Sequence, residues 1–341
     1  MGEVVTIGLD IAKSVFQVHG VDAVGEVVVR RQIRRPQMLQ FFAKQPACLV
    51  GIEACASAHY WARELSQLGH QVKLMPPSYV KPYVKRQKND AADAEAICEA
   101  VTRPTMRFVE VKSPEQQSVM VLHRVRVTLM RQRTQLSNTI RAHMAEFGLV
   151  APIGREGLQG LIQLIEARDP RLLEEVRICL EFLIAQLRLV NLQVLETDRK
   201  IRTSARSTEV GRRLMTIPGV GPLLASALVA TVAEPKAFKS GRNLAAWIGL
   251  VPKQNSSGGK ERLGGITKQG DRYLRQLLVV GSLAVVRYAE RHGTRRPWLV
   301  KLLAKRPVKV ATVALANKIA RIAWAIMTSG ESYREPEPAA A

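Results

Sequence analysis

The chain has 341 residues, with 51 Lys and Arg against 29 Asp and Glu, a formal net charge of +22. That length suffices for two or three domains with real cores, and a hydrophobic content of 47% excludes general disorder. An aromatic content of 5% argues against a protein that stacks successive bases on aromatic platforms, and Cys48, Cys55, Cys98 and Cys179 lack the C-x-x-C spacing of a zinc site or disulfide framework. Residues 4–9 form a short apolar run ending at Asp10, and 15–20 and 25–30 read as two more strands joined by a turn at 22–25. A helix is expected over 36–44, a buried strand over 48–52 ending at Glu53, a helix over 60–68 closed by Gly69, and a strand over 71–75 stopped by Pro76 and Pro77. A further helix starts near Asn89 and Asp90 and runs to 101. Three strands in a meander, then helix, strand, helix, strand, helix, is the order of an α/β RNase H-like domain.

From Ser113 the pattern changes. Ser113-Pro114-Glu115-Gln116 is a capping box with proline at the first helical position. Behind it Val119, Leu122, Leu129, Leu136, Ile140, Met144 and Phe147 recur at near-heptad spacing. Residues 148–160 interrupt, and a second long helix is expected from about 171 to 206. Two long helices around a break read either as an antiparallel coiled-coil arm or as plain bundle packing. Residues 211–330 read as a mainly helical unit, and the end of the chain as a frayed tail. The uncharged run 214–233 is long enough to span a membrane, but Pro218, Gly219, Gly221 and Pro222 break it, so a turn and a buried helix are expected.

The charge is unevenly spread. Residues 1–100 carry 12 basic and 10 acidic side chains, and residues 101–341 carry 39 and 19. Such an excess repels itself unless a polyanion neutralises it, and nucleic acid is the usual one, since each neutralised phosphate releases counterions. No strongly amphipathic basic helix sits at a terminus to suggest a membrane surface. No basic segment followed by an apolar run opens the chain in the manner of a signal peptide, so a cytoplasmic location is expected.

Four carboxylates stand out by position. Asp10 and Glu53 each end an apolar strand, and Asp90 and Asp93 are three apart at the start of a helix, on one face. In an RNase H-like domain the four converge at the carboxyl edge of the sheet, where hard divalent cations relieve their mutual repulsion. The alternative for Asp90 and Asp93 is acidic capping of a helix N-terminus. Further on, Ile217-Pro218-Gly219-Val220-Gly221-Pro222 reads either as a helix-hairpin-helix gripping a phosphate backbone through Gly219 and Gly221, or as a structural turn. Ser256 and Ser257 lie in a Gly-rich loop flanked by Lys253, Lys260, Arg262, Lys268, Arg272 and Arg275. This is either a solvated basic loop or a phosphate-binding loop carrying a hydroxyl nucleophile. Walker A spacing is absent, so a nucleotide-binding ATPase is a poor fit. The six histidines are scattered without ligand spacing.

Together these blocks resemble the DEDD-type serine transposases of the IS-one-ten insertion-sequence family, which includes Piv-like DNA invertases. Gly8-Leu9-Asp10-Ile11-Ala12-Lys13 resembles the first acidic motif, Gly51-Ile52-Glu53-Ala54-Cys55 the second, and Lys88-Asn89-Asp90-Ala91-Ala92-Asp93-Ala94 the paired third and fourth acids. The turn at 217–222 and the block from Gly249 through Ser257-Gly258-Gly259-Lys260 to Lys268 resemble the family's carboxyl-terminal half. The resemblance implies a RuvC-like domain over 1–110, a coiled-coil arm over 111–207, a transposase domain over 208–330 and a disordered tail over 331–341. It implies one or two Mg²⁺ ions held by Asp10, Glu53, Asp90 and Asp93, and a 5′-phosphoserine intermediate on Ser257, with Ser256 the adjacent alternative. It also implies donor and target DNA as substrates, a structured guide (bridge) RNA encoded by the element, and dimers assembling to tetramers in a prokaryotic cytoplasm, at the nucleoid. Two other readings of the residues are a RuvC-like nuclease without a covalent intermediate and a site-specific invertase. A nucleic-acid-binding scaffold with structural acids is a third.

Overall fold

The computed structural model describes residues 2–85, 89–293 and 296–335. The chain forms two compact units, Met1–Pro114 and Glu115–Ala341.

The first unit is built on a five-stranded sheet. Strands β1 (Thr6–Ile11), β2 (Val15–Val21) and β3 (Val27–Arg34) form an antiparallel meander. Its second turn is held by Asp22, whose carboxylate accepts from the Val24 and Glu26 amides. Helix α1 (Met38–Phe42) leads to β4 (Leu49–Glu53), and α2 (Ala58–Gln67) leads to β5 (Gln71–Met75). Both of these strands run parallel to β1, giving the order β3-β2-β1-β4-β5. The short α3 (Pro77–Val80) follows, and then α4 (Asp90–Val101). One face of the sheet buries Ile7, Leu9, Phe16 and Ile52 against Phe42, Trp61 and Leu65. Each such side chain contributes roughly 1.5–3 kcal/mol by leaving water.

The opposite face receives α4, and two glycines decide how closely. Gly8 and Gly51 are paired across β1 and β4. A Cβ on Gly8 would lie 2.1 Å from the Ala94 carbonyl oxygen, and one on Gly51 2.8 Å from the Val101 Cβ. The bare backbone therefore forms the seat on which α4 lies.

The second unit is mainly helical. Helices α5 (Pro114–Glu146) and α7 (Glu174–Ser207) flank α6 (Arg155–Glu166), which occupies much of the segment expected to be irregular. Ile140 and Met144 of α5 pack with Leu180, Ile184 and Leu187 of α7, while Leu129 packs with Val190 and Val194. The two long helices thus run antiparallel. The core of the rest is made by α8 (Glu209–Leu214), α9 (Pro222–Thr231), α10 (Gly241–Ile248), α11 (Arg272–His292), α12 (Pro297–Lys305) and α13 (Val308–Ser329). The apolar run at 214–233 resolves into a turn and the buried ten-residue α9. Helices α7 and α13 are long and apolar enough to cross a bilayer by length and composition, and eight residues of α13 are buried in the helical core.

Three further features depart from the sequence reading. A two-stranded hairpin, β6 (Pro252–Gln254) and β7 (Leu263–Ile266), interrupts the helices. Residues 331–335, expected to fray, lie on the helical core instead: Tyr333 packs there, its amide donates to Thr216 Oγ1, and Glu335 pairs with Arg296. Residues 336–341 of the expected tail lie outside the described residues. The expected division of the second unit at residue 207 falls inside one compact body.

Candidate functional site

The strand pairing brings the acids together. Leu9 and Ile52 are opposed on parallel neighbours β1 and β4, so the next residues, Asp10 and Glu53, emerge side by side at the carboxyl ends of the strands. Side chains alternate along a strand, so Asp10 shares a face with Gly8, and Glu53 with Gly51. That is the face covered by α4. The glycine seat under α4 thereby delivers the helix's first turn to the acids.

Asn89 caps α4. Its Oδ1 accepts from the Ala92 amide at 2.8 Å, and its carbonyl accepts from the Asp93 amide. Because Asn89 supplies the cap, Asp90 and Asp93 are left to project from the first turn. One carboxylate oxygen from each of Asp10, Asp90 and Asp93 lies within 4.8 Å of the others. Glu53 stands outside this group of three but close enough for its charge to act on Asp10. Lys88, the first residue of the motif around these acids, lies outside the described residues.

Crowding of this kind shows in Asp10. Its pKa is pushed up to about 6, first by burial and then by the charges of Asp93, Asp90 and Glu53, against a hydrogen bond to its own neighbour Ile11 that works the other way. Oxygen donors of like charge, gathered at one sheet edge, fit a hard divalent cation, which takes carboxylate oxygens and relieves their repulsion.

The second unit holds the serine loop at the tip of the β6–β7 hairpin. Gly258 and Gly259 both take positive φ, +55° and +75°, and Lys260 N–H donates to the Ser257 carbonyl at 3.1 Å. This is a tight two-residue turn for which Gly-Gly is suited. The neighbouring serines differ. Ser256 Oγ accepts from the Arg262 amide at 3.1 Å, bracing the loop, whereas the Ser257 hydroxyl has no hydrogen-bond partner among the described residues. Lys253, Lys260, Arg262, Lys268 and Arg272 are exposed around the hairpin. Arg275 is turned inward and donates to the carbonyls of Ile248 and Gln269 at 2.7 and 2.9 Å, so it braces the hairpin's base.

Gly221 caps α9 and is open to solvent. Gly219, at φ +91°, is pressed against α11: a Cβ on Gly281 would lie 2.1 Å from the Gly219 carbonyl oxygen. Close packing of the turn accounts for Gly219.

Sequence reasoning passed over His123. It is buried, with Nδ1 2.9 Å from the Tyr273 hydroxyl and Nε2 3.1 Å from Ser226 Oγ, so it ties α5 to α9 and α11. Burial lowers its pKa to about 4, with Arg126 adding to the effect.

Two family models and several relatives that match this chain are described as transposases. Residues 7–148 match the family model of DEDD transposases from IS110 elements, and residues 211–296 match that of the "Transposase IS116/IS110/IS902 family". A Pseudomonas aeruginosa protein described as "Probable family 20 transposase" is 50% identical over 96% of this chain and 98% of its own length. The transposase for insertion sequence element IS1328 of Yersinia enterocolitica is 40% identical over 98% of this chain and 99% of its own. That for IS1111A of Coxiella burnetii is 39% identical, covering 98% and 92%.

Proposed function

Since this chain belongs to the IS116/IS110/IS902 family of insertion-sequence transposases, we propose that it cuts and rejoins DNA through two chemical centres, a carboxylate site in the first unit and a serine in the second. The observation that carries this reading is the convergence of Asp10, Asp90 and Asp93 within 4.8 Å, with Asp10 raised to about 6. The sheet order β3-β2-β1-β4-β5, with α4 on one face, supports an RNase H-like, RuvC-like domain.

Asp10, Asp90 and Asp93 would hold Mg²⁺, with Glu53 completing the set, and the bound metal would supply Lewis-acid stabilisation of charge on the scissile phosphate and the leaving oxygen. The chain's own groups do the rest. Ser257, whose hydroxyl is uncommitted, is the nucleophile. Its Oγ–P bond forms as the P–O3′ bond breaks, and the proton from Ser257 ends on the released 3′-hydroxyl. The product is a 5′-phosphoserine that the reverse attack by a new 3′-hydroxyl rejoins. Lys260 and Arg262 hold the phosphate from the hairpin. The antiparallel α5 and α7 form a coiled-coil arm through which dimers pair into tetramers, so that acids of one copy serve the serine of another. An element-encoded guide RNA selects donor and target by base pairing, leaving the protein to read backbone and shape. The setting is the prokaryotic cytoplasm, at the nucleoid.

The test is a covalent adduct. Full-length protein with Mg²⁺, the RNA flanking the gene and end-labelled element-junction DNA is expected to give a protease-sensitive protein–DNA species. Ser257→Ala and Asp10→Ala abolish it, whereas Ser256→Ala keeps it with reduced yield through a looser hairpin. DNA cutting without an adduct in any variant would replace this reading with a RuvC-like nuclease.

A further inference from the structure

A cleft of about 1320 Å³ opens on the second unit between α10, the base of the serine hairpin and α13. It is larger than the roughly 300–1,000 Å³ of ordinary small-molecule pockets. Pro252 and residues 264–266 of the hairpin form one wall, and Val310, Val313, Ala314 and Ile322 of α13 form an apolar floor. Arg242, Lys309, Lys318 and Arg321 stand around it, and no carboxylate is among the described residues that line it. Trp298 and Trp324 close its edges. Both are fixed: Lys318 Nζ sits 4.6 Å above the Trp298 ring, and the Trp324 indole donates to the Pro235 carbonyl at 3.0 Å.

Four cations with no counter-acid among the described residues call for a polyanion, but paired duplex makes poor use of the floor. A duplex keeps its base faces stacked inward and presents phosphates and groove edges. An unpaired nucleotide presents both a phosphate and a flat base face, and burying that face on Val and Ile is favourable whatever the base. Lys318 already covers one face of Trp298, so the rings act as edges here rather than as a stacking ladder.

We propose that this cleft binds a short run of unpaired DNA nucleotides and so delivers their strand to the hairpin that carries Ser257. The proposal rests on the serine reading for its purpose, though not for its binding chemistry. Strand exchange requires base pairs at the cut to open, and a cleft at the foot of the nucleophile's hairpin keeps the opened strand from re-pairing.

The experiment uses full-length protein and three probes of one sequence: a paired duplex, the same duplex with a short central mismatch bubble containing 2-aminopurine, and a single-stranded RNA. Bubbled DNA is expected to bind at least about tenfold tighter than paired duplex, with a rise in 2-aminopurine fluorescence as the base leaves its stacked neighbours for the aliphatic floor. Val313→Trp, which fills the floor, and Lys309→Glu, a change at an exposed position that leaves folding intact, should each bring the two DNA affinities within about twofold of one another. Equal binding of bubble and duplex by the unaltered protein, or a preference that survives both substitutions, overturns the proposal. So does RNA bound tenfold more tightly than bubbled DNA where that tighter binding is lost in both variants, which would make RNA the cleft's occupant. The two readings fail separately. A bubble preference lost in the variants but with no covalent adduct refutes the serine chemistry and leaves the cleft, while an adduct without any bubble preference refutes the cleft alone.

Discussion

The proton on Asp10 is the most sensitive reporter of the carboxylate site. Its folded pKa, about 6, stands above the ordinary 3.8, so the folded chain holds this proton more tightly than the unfolded chain does. Without metal, the stabilisation linked to it is fully present below the unfolded value and is lost as pH rises through the folded one. Asp10 is only half-buried, so solvent screening holds the effect to about 1–2 kcal/mol. Above about pH 6 a divalent cation takes over the role of the proton, and ligand that binds only the folded state raises stability by mass action. Calorimetry in chelator is expected to show the first unit melting several degrees lower at about pH 8 than at about pH 5. Excess Mg²⁺ should restore the loss at the higher pH and do little at the lower. Asp10→Asn should flatten the chelator profile and remove the Mg²⁺ response, whereas a Mg²⁺ response retained in that variant would mean the ion binds elsewhere.

At the scale of elements, the acids depend on how α4 lies on the sheet. Gly8→Ala places a methyl 2.1 Å from the Ala94 carbonyl, which belongs to the helix backbone and cannot turn aside. The helix must lift, and a loss of about 1–3 kcal/mol is expected on urea unfolding, with loss of DNA cutting beyond what the lost stability explains. Gly160→Ala is the contrast: it sits within α6 with open space around it, and should stabilise by about 0.5–1 kcal/mol. Much of this geometry was legible in the chain. Each acid at a strand end follows a glycine by two residues, in Gly8-Leu9-Asp10 and Gly51-Ile52-Glu53, which is the period of a strand face. The β6–β7 hairpin was not legible, because Pro252-Lys253-Gln254 and Leu263-Gly264-Gly265 lack the alternating apolar pattern of a half-buried strand, and all but Ile266 of their residues are exposed. Helix α6 was hidden by Gly157 and Gly160, which read as breakers. His123 gave no sign at all, since its partners Ser226 and Tyr273 lie 103 and 150 residues away. That histidine has its own consequence. Its pKa is lowered to about 4, so the unfolded chain takes up a proton first as pH falls below the ordinary 6.5, and stability drains away toward the folded value. The second unit should lose on the order of 2 kcal/mol between about pH 6.5 and pH 4 through this group. His123→Leu should be less stable than the parent at neutral pH, by leaving Ser226 and Tyr273 without their partner, yet lose less on acidification; parallel pH profiles for the two would show that another group is responsible.

For the whole molecule the governing quantity is charge. Residues 101–341 carry 39 basic side chains and 19 acidic ones, and many of those acids are already spent locally. Asp169 pairs with Arg171, Glu174 and Glu181 with Arg177, Asp198 with Arg126, and Glu209 with Arg213. These pairs stiffen helices and turns but do nothing to cancel the excess, which is left to a polyanion. Binding of duplex DNA should therefore fall steeply with salt. If six to ten phosphates are neutralised, affinity drops by about 10³–10⁵ between about 50 and 200 mM monovalent salt. The hairpin cations divide sharply on this measurement. Lys260 is exposed beside the tight turn, so Lys260→Gln should lower the slope of log affinity against log salt by about 1 while leaving thermal stability unchanged. Arg275 is occupied by the carbonyls of Ile248 and Gln269, so Arg275→Gln should lower stability and leave the slope as it was. A slope unmoved by Lys260→Gln would place the phosphate path away from the serine hairpin, and with it the assignment of Ser257 as the residue that meets DNA would fall.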